Sequence, residues 1–350
     1  MRSHHILRVL GVSVLACALL LPVGCKSEET PGVVSHWPKA ETERTAPKPP
    51  EPLRWPLTGL DAPSEEAIMK RIVSVKIENS PSARPQTNLQ MADVVYESVT
   101  EGGITRFNAM FHSQNPESVG PVRSARLSDL YIVPQYQALF VFSGASTSVN
   151  SRINGTSIEN LSEDKGVTYP FFRGTDRPRP HNLMAVLEKV REEAGKRKMS
   201  VSQQPAALAF DFRAIETTDA VTEISIPFSP ANKVIWTFDA ASRTYLRVNN
   251  GAKHTDKATG KQISARNVVV MWAKHTVASK DVVGSTTYEI TLSGSGRASV
   301  FHDGQRYDGT WEAGTDAPPV FKASDGTQIK LAPGNTWFQV VQPSVNIALK

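Results

Sequence analysis

The sequence predicts an α+β or α/β fold, in which an N-terminal α/β domain at 64–204 is followed by a mostly antiparallel β-domain at 205–350. Strand-like segments alternate with helical patterns in the first of these regions. The second region shows short strand-like segments separated by turn signals, with little helical periodicity. The chain has 350 residues, of which 40% are hydrophobic and 21% charged, so its composition is that of a globular protein with one large or two ordinary domains.

Composition also excludes several classes of protein. The only cysteines are Cys17 and Cys25, near the N-terminus, so the remaining chain cannot contain a disulfide framework, a thiolate metal site or a cysteine nucleophile. A long apolar run occurs only at the N-terminus, which excludes a polytopic membrane protein. The formal charge of +5 is small for this length and permits an anionic partner without requiring one.

The N-terminal segment predicts export and lipidation. Residues 9–23 are apolar and too few to span a bilayer comfortably, Gly24 precedes Cys25, and polar residues follow. This arrangement resembles a bacterial lipobox, which implies a signal peptide at 1–25 and a lipid, including palmitate, on Cys25; Cys17 lies in a second candidate box. We expect attachment to the outer face of the bacterial cytoplasmic membrane, or a periplasmic or outer-membrane location if the cell has an outer membrane.

Residues 26–63 predict a disordered tether between the lipid and the folded domains. They are rich in proline, glutamate, lysine and threonine, and proline fixes an extended backbone and prevents helix formation. Trp37, Trp55 and residues 57–60 are the side chains in this segment that could instead dock on a domain.

The N-terminal domain is predicted from its periodic apolar residues. Alternation predicts a strand at 72–77, a capping-box pattern predicts a short helix at 87–90, and β-branched and aromatic residues predict strands at 94–97 and 104–111. Helices are expected at 126–137 and, from apolar residues at helical spacing, from 183 to 190; residues 138–143 form an apolar run of strand length between them.

The C-terminal domain is predicted from strand-like segments at 224–226, 234–238, 245–248, 268–273 and 288–292. Pairs such as Asn250-Gly251 and Asp303-Gly304 supply the turns between antiparallel strands. Its polar and aromatic candidates are Tyr245, Arg247, His254, Asp256, Trp311 and Trp337, of which the two tryptophans are expected to pack in the core.

Polar residues concentrate at the predicted strand ends of the N-terminal domain, where ligands bind in open α/β sheets. A helix start near Arg123 and Arg126 would add backbone N–H groups to two guanidinium groups, which suits phosphate or carboxylate. A basic loop with Arg173, Arg177, Arg179 and His181 could close over the same anion. The predicted ligand-binding residues are Glu78, Asn79, Arg84, Glu97, Glu101, Arg106, Arg123, Arg126, Arg179 and His181.

Two other interpretations of these residues stay open. Arginine and glutamate at neighbouring strand ends often pair with each other and only fasten loops. The carboxylates of Glu78, Asp93, Glu97 and Glu101 could hold Mg²⁺ or Ca²⁺, although no ligand-loop spacing supports a metal site, so no cofactor is expected.

No catalytic residue is identified, because the sequence lacks the H-E-x-x-H, P-loop, G-x-G-x-x-G and G-x-S-x-G motifs. Nucleic acid is not an expected partner, since the basic stretch 189–198 also carries glutamates.

Several motifs in one order resemble the YerB-like bacterial lipoproteins, a family described as domain of unknown function 3048. They are KIEN at 76–79, ARPQ at 83–86, ADVVYE at 92–97, EGGITRF at 101–107, GPVRSAR at 120–126, NVVV at 267–270, GSG at 294–296, GTW at 309–311 and PGNTW at 333–337. The resemblance implies an exported, membrane-attached protein with an α/β part followed by a β-rich part. It implies no established reaction.

We therefore expect a non-catalytic, lipid-anchored envelope protein that binds a polar or anionic envelope ligand, or a protein partner, through the arginine-rich loops of the α/β domain. The alternatives are an enzyme that acts on envelope phosphates or glycans, by a weak analogy with the LytR–CpsA–Psr transferases, and a structural spacer. Whether the protein is an enzyme is left open, with a preference for no catalysis.

Overall fold

The computed structural model describes residues 51–213, 220–280 and 286–350. The predicted signal peptide, Cys17, Cys25 and residues 26–50 of the predicted tether lie outside the described residues. Residues Glu51–Lys350 form one compact unit. No helix within the described ranges is long and apolar enough to cross a membrane.

The N-terminal part contains short helices and mostly short strands. The helices are α1 (Glu65–Met69), α2 (Asp129–Gln135), α3 (Thr147–Asn154) and α4 (Leu187–Lys196), with 3-10 turns at Pro81–Ala83, Leu89–Met91, Glu101–Gly103 and Glu163–Lys165. The strands are β1 (Val73–Glu78), β2 (Val94–Val99), β3 (Thr105–Phe111), β4 (Leu139–Phe142), β5 (Asn160–Ser162), β6 (Phe171–Arg173) and β7 (Leu183–Ala185).

The C-terminal part consists of strands in the described ranges. They are β8 (Glu223–Ser229), β9 (Asn232–Asp239), β10 (Thr244–Asn249), β11 (Ala252–Lys253), β12 (Ser264–Ala265), β13 (Asn267–Trp272), β14 (Lys274–Lys280), β15 (Thr286–Thr291), β16 (Gly294–His302), β17 (Gln305–Ala313), β18 (Val320–Lys322), β19 (Gln328–Ile329), β20 (Thr336–Val341) and β21 (Ala348–Leu349).

Strands from both parts join in one large sheet. Its order among the described residues is β19-β18-β17-β16-β13-β20-β2-β3-β1-β4-β5. The links β13–β20, β20–β2, β1–β4 and β4–β5 are parallel, and the others are antiparallel. A smaller antiparallel sheet has the order β11-β10-β9-β8-β21, with β12 beside β10. This mixed α/β sheet with a largely antiparallel C-terminal region confirms the predicted fold class.

The large sheet crosses the predicted boundary at 204–205. Strand β2 pairs in parallel with β20 from Val94↔Thr336 to Ser98↔Val340, so the two regions share backbone hydrogen bonds. The division of the chain at this point stays a prediction.

Side-chain alternation gives the large sheet two apolar faces. On β1, Val73, Val75 and Ile77 point to the first face, where the smaller sheet and α4 pack. On β2, Tyr96 points to the second face, where α2 and α3 pack. Both faces of the central strands are buried, so the polar side chains that alternate with apolar ones in β1 and β3, such as Lys76 and Asn108, also lie in the interior.

Three local predictions are wrong. Helix α2 begins at Asp129 rather than near 126, since residues 123–126 are not helical. The apolar spacing from 183 to 190 spans two elements, because Leu183 starts β7 and the helix begins at Leu187. The tether does not extend to 63, since Leu57 is fully buried in the core on the second face.

Candidate functional site

The predicted site residues lie mainly at one end of β1, β2 and β3. Glu78 ends β1 and is the register partner of Arg106 on β3, so both belong to the second face of the sheet. Glu97 on β2 has the opposite orientation and points to the first face with Val95. The strand alternation therefore divides the predicted residues between two separate polar clusters.

On the second face, Glu78 lies between Arg123 and His181. The Glu78 carboxylate is buried, and its Oε1 is 3.3 Å from Arg123 Nε and 3.0 Å from His181 Nδ1. Ser80 donates a further hydrogen bond of 2.8 Å to the same oxygen. Arg123 Nε lacks hydrogen-bond geometry toward Glu78, and the side-chain donors of Arg123 have no hydrogen bond to another described residue. A charged, 24% exposed guanidinium group therefore keeps its donors available.

Arg106 and Arg126 lie beside Arg123, and the three form what we call the arginine cluster. Arg126 binds Glu101 Oε2 through Nε at 2.8 Å and Nη2 at 2.6 Å. Arg106 donates to the carbonyl oxygen of Ser124 at 3.0 Å, but its buried Nε has no partner in the described part of the chain. Burial, together with repulsion by Arg126 and Arg123, lowers the pKa of Arg106 to about 9.

A buried ion pair lies next to the arginine cluster. Lys76 Nζ is 2.7 Å from Asp129 Oδ1, and both side chains are about 1% exposed. Asp129 Oδ2 also accepts a hydrogen bond of 2.7 Å from the backbone N–H of Arg126. The N–H of Arg126 is thus already bound by Asp129, and α2 begins only at Asp129, so the predicted helix start at Arg123 and Arg126 is not there to bind an anion.

The second basic loop only partly meets the arginine cluster. His181 lines a cavity of about 270 Å³ together with Arg177 and Lys257. Arg177 is held by the carbonyl oxygens of residues 83 and 85, and Arg173 by Glu163, so neither reaches Glu78. Arg179 is exposed, and no hydrogen bond or ion pair joins its side chain to another predicted site residue within the described ranges.

On the first face, eight side chains form a buried polar network: Asn79, Gln86, Glu97, Thr105, Asn232, Arg247, Asn249 and His254. Glu97 Oε1 accepts hydrogen bonds from Arg247 Nη2 at 2.8 Å and Thr105 Oγ1 at 2.7 Å. Arg84 reaches the network at its edge, where it donates to Asn249 Oδ1.

A closed ring of hydrogen bonds runs through this buried polar network. Arg247 Nε donates to His254 Nδ1 at 2.9 Å, so the remaining proton of the neutral imidazole lies on Nε2, which donates to Gln86 Oε1 at 2.6 Å. Gln86 then donates to Asn79, and Asn79 to Thr105, which returns to Glu97. Burial, Arg247 and Arg84 hold the pKa of His254 well below its usual value, so the ring keeps this tautomer across the neutral range.

The network joins the two sheets without a visible opening for a ligand at Arg247. The Arg247 guanidinium carbon lies 5.0 to 5.5 Å from the ring centres of Phe107, Trp236 and Trp337. Arg247 Nη1 and Glu97 Oε2 are buried and have no hydrogen-bond partner among the described residues. We read these contacts as a structural fastening of the smaller sheet to the larger one.

The four carboxylates considered as metal ligands lie in different sets of contacts. Glu78, Glu97 and Glu101 bind the separate cations described above, and Asp93 accepts hydrogen bonds from the backbone N–H groups of His112 and Ser113 at 2.7 and 2.8 Å. Burial nevertheless raises the pKa of Asp93 to about 6. Within the described ranges, no group of three or more His, Cys, Asp or Glu side chains is placed to hold a metal ion.

Sequence reasoning identified Glu97, Arg247 and His254 but did not place them together. It missed Lys76 and Asp129, although a lysine inside an apolar strand is a signal of a buried partner. The amides that complete the network, such as Asn232 and Asn249, gave no signal, because Asn232 follows the β8–β9 turn and Asn249 precedes the β10–β11 turn, where asparagine is common.

Comparison with known proteins gives a consistent set of matches. The models of the DUF3048 N-terminal and C-terminal domains, both described as protein of unknown function, match residues 57–200 and 224–338. A protein of Bacillus subtilis (strain 168) named "Putative lipoprotein YerB" is 28% identical over 295 residues, which cover 83% of this chain and 86% of that protein. The crystal structure of the YerB protein from Bacillus subtilis has a TM-score of 0.76 at 28% identity and covers 85% of this chain and 99% of that chain.

Proposed function

The chain belongs to the DUF3048 family of unknown function, and from that premise we propose that it is an exported, lipid-anchored envelope protein that binds an anionic ligand at the arginine cluster. The name of its Bacillus relative and the lipobox-like segment around Cys25 both support lipid anchoring. The N–H donors of Arg123 that form no hydrogen bond to another described residue are the observation that supports an anionic ligand. The ligand class is a phosphate or carboxylate group of an envelope component.

The charges around Arg123 favour an anion over a cation. Four cationic groups lie together there, Lys76 and the three arginines, against the three carboxylates of Glu78, Glu101 and Asp129. Each carboxylate already accepts hydrogen bonds or an ion pair, whereas Arg123 has donors to spare. A phosphate or carboxylate could accept two parallel N–H bonds from its guanidinium fork, and it would offset the repulsion among the arginines.

Replacing Arg123 with alanine is expected to weaken the binding of pyrophosphate or citrate by about tenfold or more, since a hydrogen bond to a charged group contributes about 1.5–3 kcal/mol. Titration calorimetry of the full-length chain measures this directly. The Arg123→Lys variant, which retains the charge but not the fork, should bind with intermediate affinity.

Arg197→Ala is the matched control for this experiment. Arg197 is an exposed arginine just after α4, a helix that contacts the backbone of Arg71 near the opposite end of β1. It should bind both anions as the wild type does. Unchanged binding by Arg123→Ala, or no binding by the wild type at millimolar anion concentrations, would rule out the proposed site.

Lipid anchoring at Cys25 predicts that Cys25→Ser moves the protein from the membrane fraction to the soluble fraction. Cys17→Ser is the matched control, because it removes the other cysteine and leaves the lipobox-like segment before Cys25 intact. Mass spectrometry of the mature N-terminus would identify the modified residue. Release by Cys17→Ser and not by Cys25→Ser would assign the lipid to Cys17 instead.

A further inference from the structure

A large cleft lies on the opposite part of the big sheet from the arginine cluster. Its volume is about 710 Å³, and it is lined by strands β16, β17 and β18 and by Asn346 and Ile347 near the C-terminus. Those two residues lead into β21, the edge strand of the smaller sheet. The cleft thus lies where the smaller sheet ceases to cover the first face of the large one.

Strand alternation makes the floor of this cleft polar and basic. Ala298 and Val300 point to the core on the second face, whereas Arg297 and Ser299 point into the cleft. The neighbouring strands add Arg306, Asp308 and Thr310 from β17 and Lys322 from β18. Side chains of the uncovered face therefore supply both cations and hydroxyl groups.

Arg297 is the cation in the cleft that has no carboxylate partner among the described residues. Arg306 pairs with Asp308 at 2.7 Å, and Lys322 pairs with Glu312 at 2.5 Å. The guanidinium carbon of Arg297 instead lies 3.9 Å from the ring centre of Trp272. Trp272 is itself held in place, because its Nε1 donates to the carbonyl oxygen of Val345 at 2.7 Å.

This contact holds the guanidinium group of Arg297 over the indole ring of Trp272, where a cation–π interaction stabilises its charge. Ser299 Oγ donates to Asp308 Oδ1 at 2.5 Å, so the carboxylate of Asp308 is bound both by a hydroxyl and by Arg306. An incoming anion therefore meets Arg297 as an unpaired charge, next to the hydroxyl and amide groups of Thr310, Ser324 and Asn346.

We propose that this cleft binds an anionic oligosaccharide, a short run of sugar rings that carries carboxylate or phosphate groups. The length of the cleft across three strands suits more than one ring, and its hydroxyl and amide groups match sugar hydroxyls. The unpaired charge of Arg297 favours an anionic sugar over a neutral one. This site is separate from the arginine cluster and does not depend on the proposed function of that cluster.

The test is titration calorimetry of the full-length chain with trigalacturonate and maltotriose phosphate, and with neutral maltotriose for comparison. One or both anionic sugars should bind at least about tenfold more tightly than maltotriose, and Arg297→Ala should remove most of that difference. Arg123→Ala and Arg197→Ala should leave it unchanged, which separates this site from the arginine cluster. Since Arg297 is exposed, Arg297→Ala should unfold at the wild-type temperature within a few degrees.

Three results would overturn the proposal: equal affinity for maltotriose and the anionic sugars, unchanged binding by Arg297→Ala, or no binding of either anionic sugar. A loss of binding in Arg123→Ala as well would place the sugar at the arginine cluster. If Arg297→Ala unfolds at a much lower temperature, Arg297→Gln provides the second variant, because it removes the charge but keeps a long side chain against Trp272, and it should lose the same preference for the anionic sugars.

Discussion

Replacing Glu97 with glutamine is expected to lower the free energy of unfolding by about 3–5 kcal/mol, because the change leaves the buried Arg247 without a counter-ion. Both side chains are fully buried, and Arg247 Nη2 lies 2.8 Å from Glu97 Oε1. Burial lowers the pKa of Arg247, but the guanidinium group stays charged at neutral pH. The protein therefore cannot avoid the penalty by losing a proton at this position.

The aromatic rings around Arg247 limit this loss but do not remove it. Phe107, Trp236 and Trp337 present their faces to the guanidinium group, and each such contact contributes about 0.5–2 kcal/mol. Urea unfolding of the full-length chain, followed by tryptophan fluorescence, measures the change. A loss below about 1 kcal/mol would show that the rings alone hold the charge and that the ion pair is dispensable.

Two further variants separate the ion pair from a general loss of packing. Glu312→Gln is the matched control, since Glu312 is 45% exposed, pairs with Lys322 at the surface and should change stability by less than about 1 kcal/mol. Adding Arg247→Met to Glu97→Gln removes the buried charge and should recover part of the stability. A double variant that is less stable than Glu97→Gln would assign the effect to the shape of Arg247 rather than to its charge.

The local structure of the central strands was predictable from the sequence, whereas their partners were not. The apolar and β-branched residues of β1, β2 and β3 predict strands, and the structure places these elements within one or two residues of the predicted bounds. The parallel pairing of β2 with β20 joins residues more than two hundred positions apart. Nothing in the local pattern of either strand specifies that pairing, because it depends on the packing of the whole sheet.

The same limit applies to the candidate site. Strand alternation says which residues of one strand share a face, but it does not say whether Glu78 on β1 and Glu97 on β2 lie on the same face of the sheet. That depends on the register of each strand against β3, which the sequence does not give. The start of α2 depends on Asp129, whose carboxylate binds both Lys76 and the N–H of Arg126. The contact with Lys76 is tertiary, so the local sequence pattern that predicted a helix at 126–137 could not place its first residue.

Replacing Asp129 with asparagine is expected to cost about 3 kcal/mol at neutral pH, the lower end of the range for breaking a buried ion pair. The substitution keeps the shape of the side chain and an oxygen for the N–H of Arg126, and it removes the negative charge. It leaves Lys76, which is about 1% exposed, without its counter-ion. Asn108 donates to Asp129 Oδ1, the oxygen that binds Lys76, at 3.1 Å, and this hydrogen bond is lost as well when the single amide oxygen of the variant accepts from Arg126.

The cost of Asp129→Asn should depend on pH, in contrast to that of Glu97→Gln. Burial lowers the pKa of Lys76 below its usual 10.5, and Asp129 opposes this shift. Loss of the Asp129 carboxylate lowers the pKa of Lys76 further in the folded state, which widens the pH range between that pKa and the unfolded value of 10.5. Within this range the unfolded state binds more protons, so the free energy of unfolding rises with pH. The difference in unfolding free energy between the wild type and the variant should therefore narrow as the pH rises.

Urea unfolding of the wild type and of Asp129→Asn at a series of pH values from neutral to alkaline measures this narrowing. The double variant Lys76→Met/Asp129→Asn lacks the titrating amine, so its deficit should be smaller at neutral pH and nearly constant over the series. A constant deficit in Asp129→Asn itself would mean that Lys76 stays charged in the folded variant. In that case the neighbouring polar groups of Ser74 and Asn108, which hydrogen-bond to each other at 2.7 Å, would have to stabilise the charge instead.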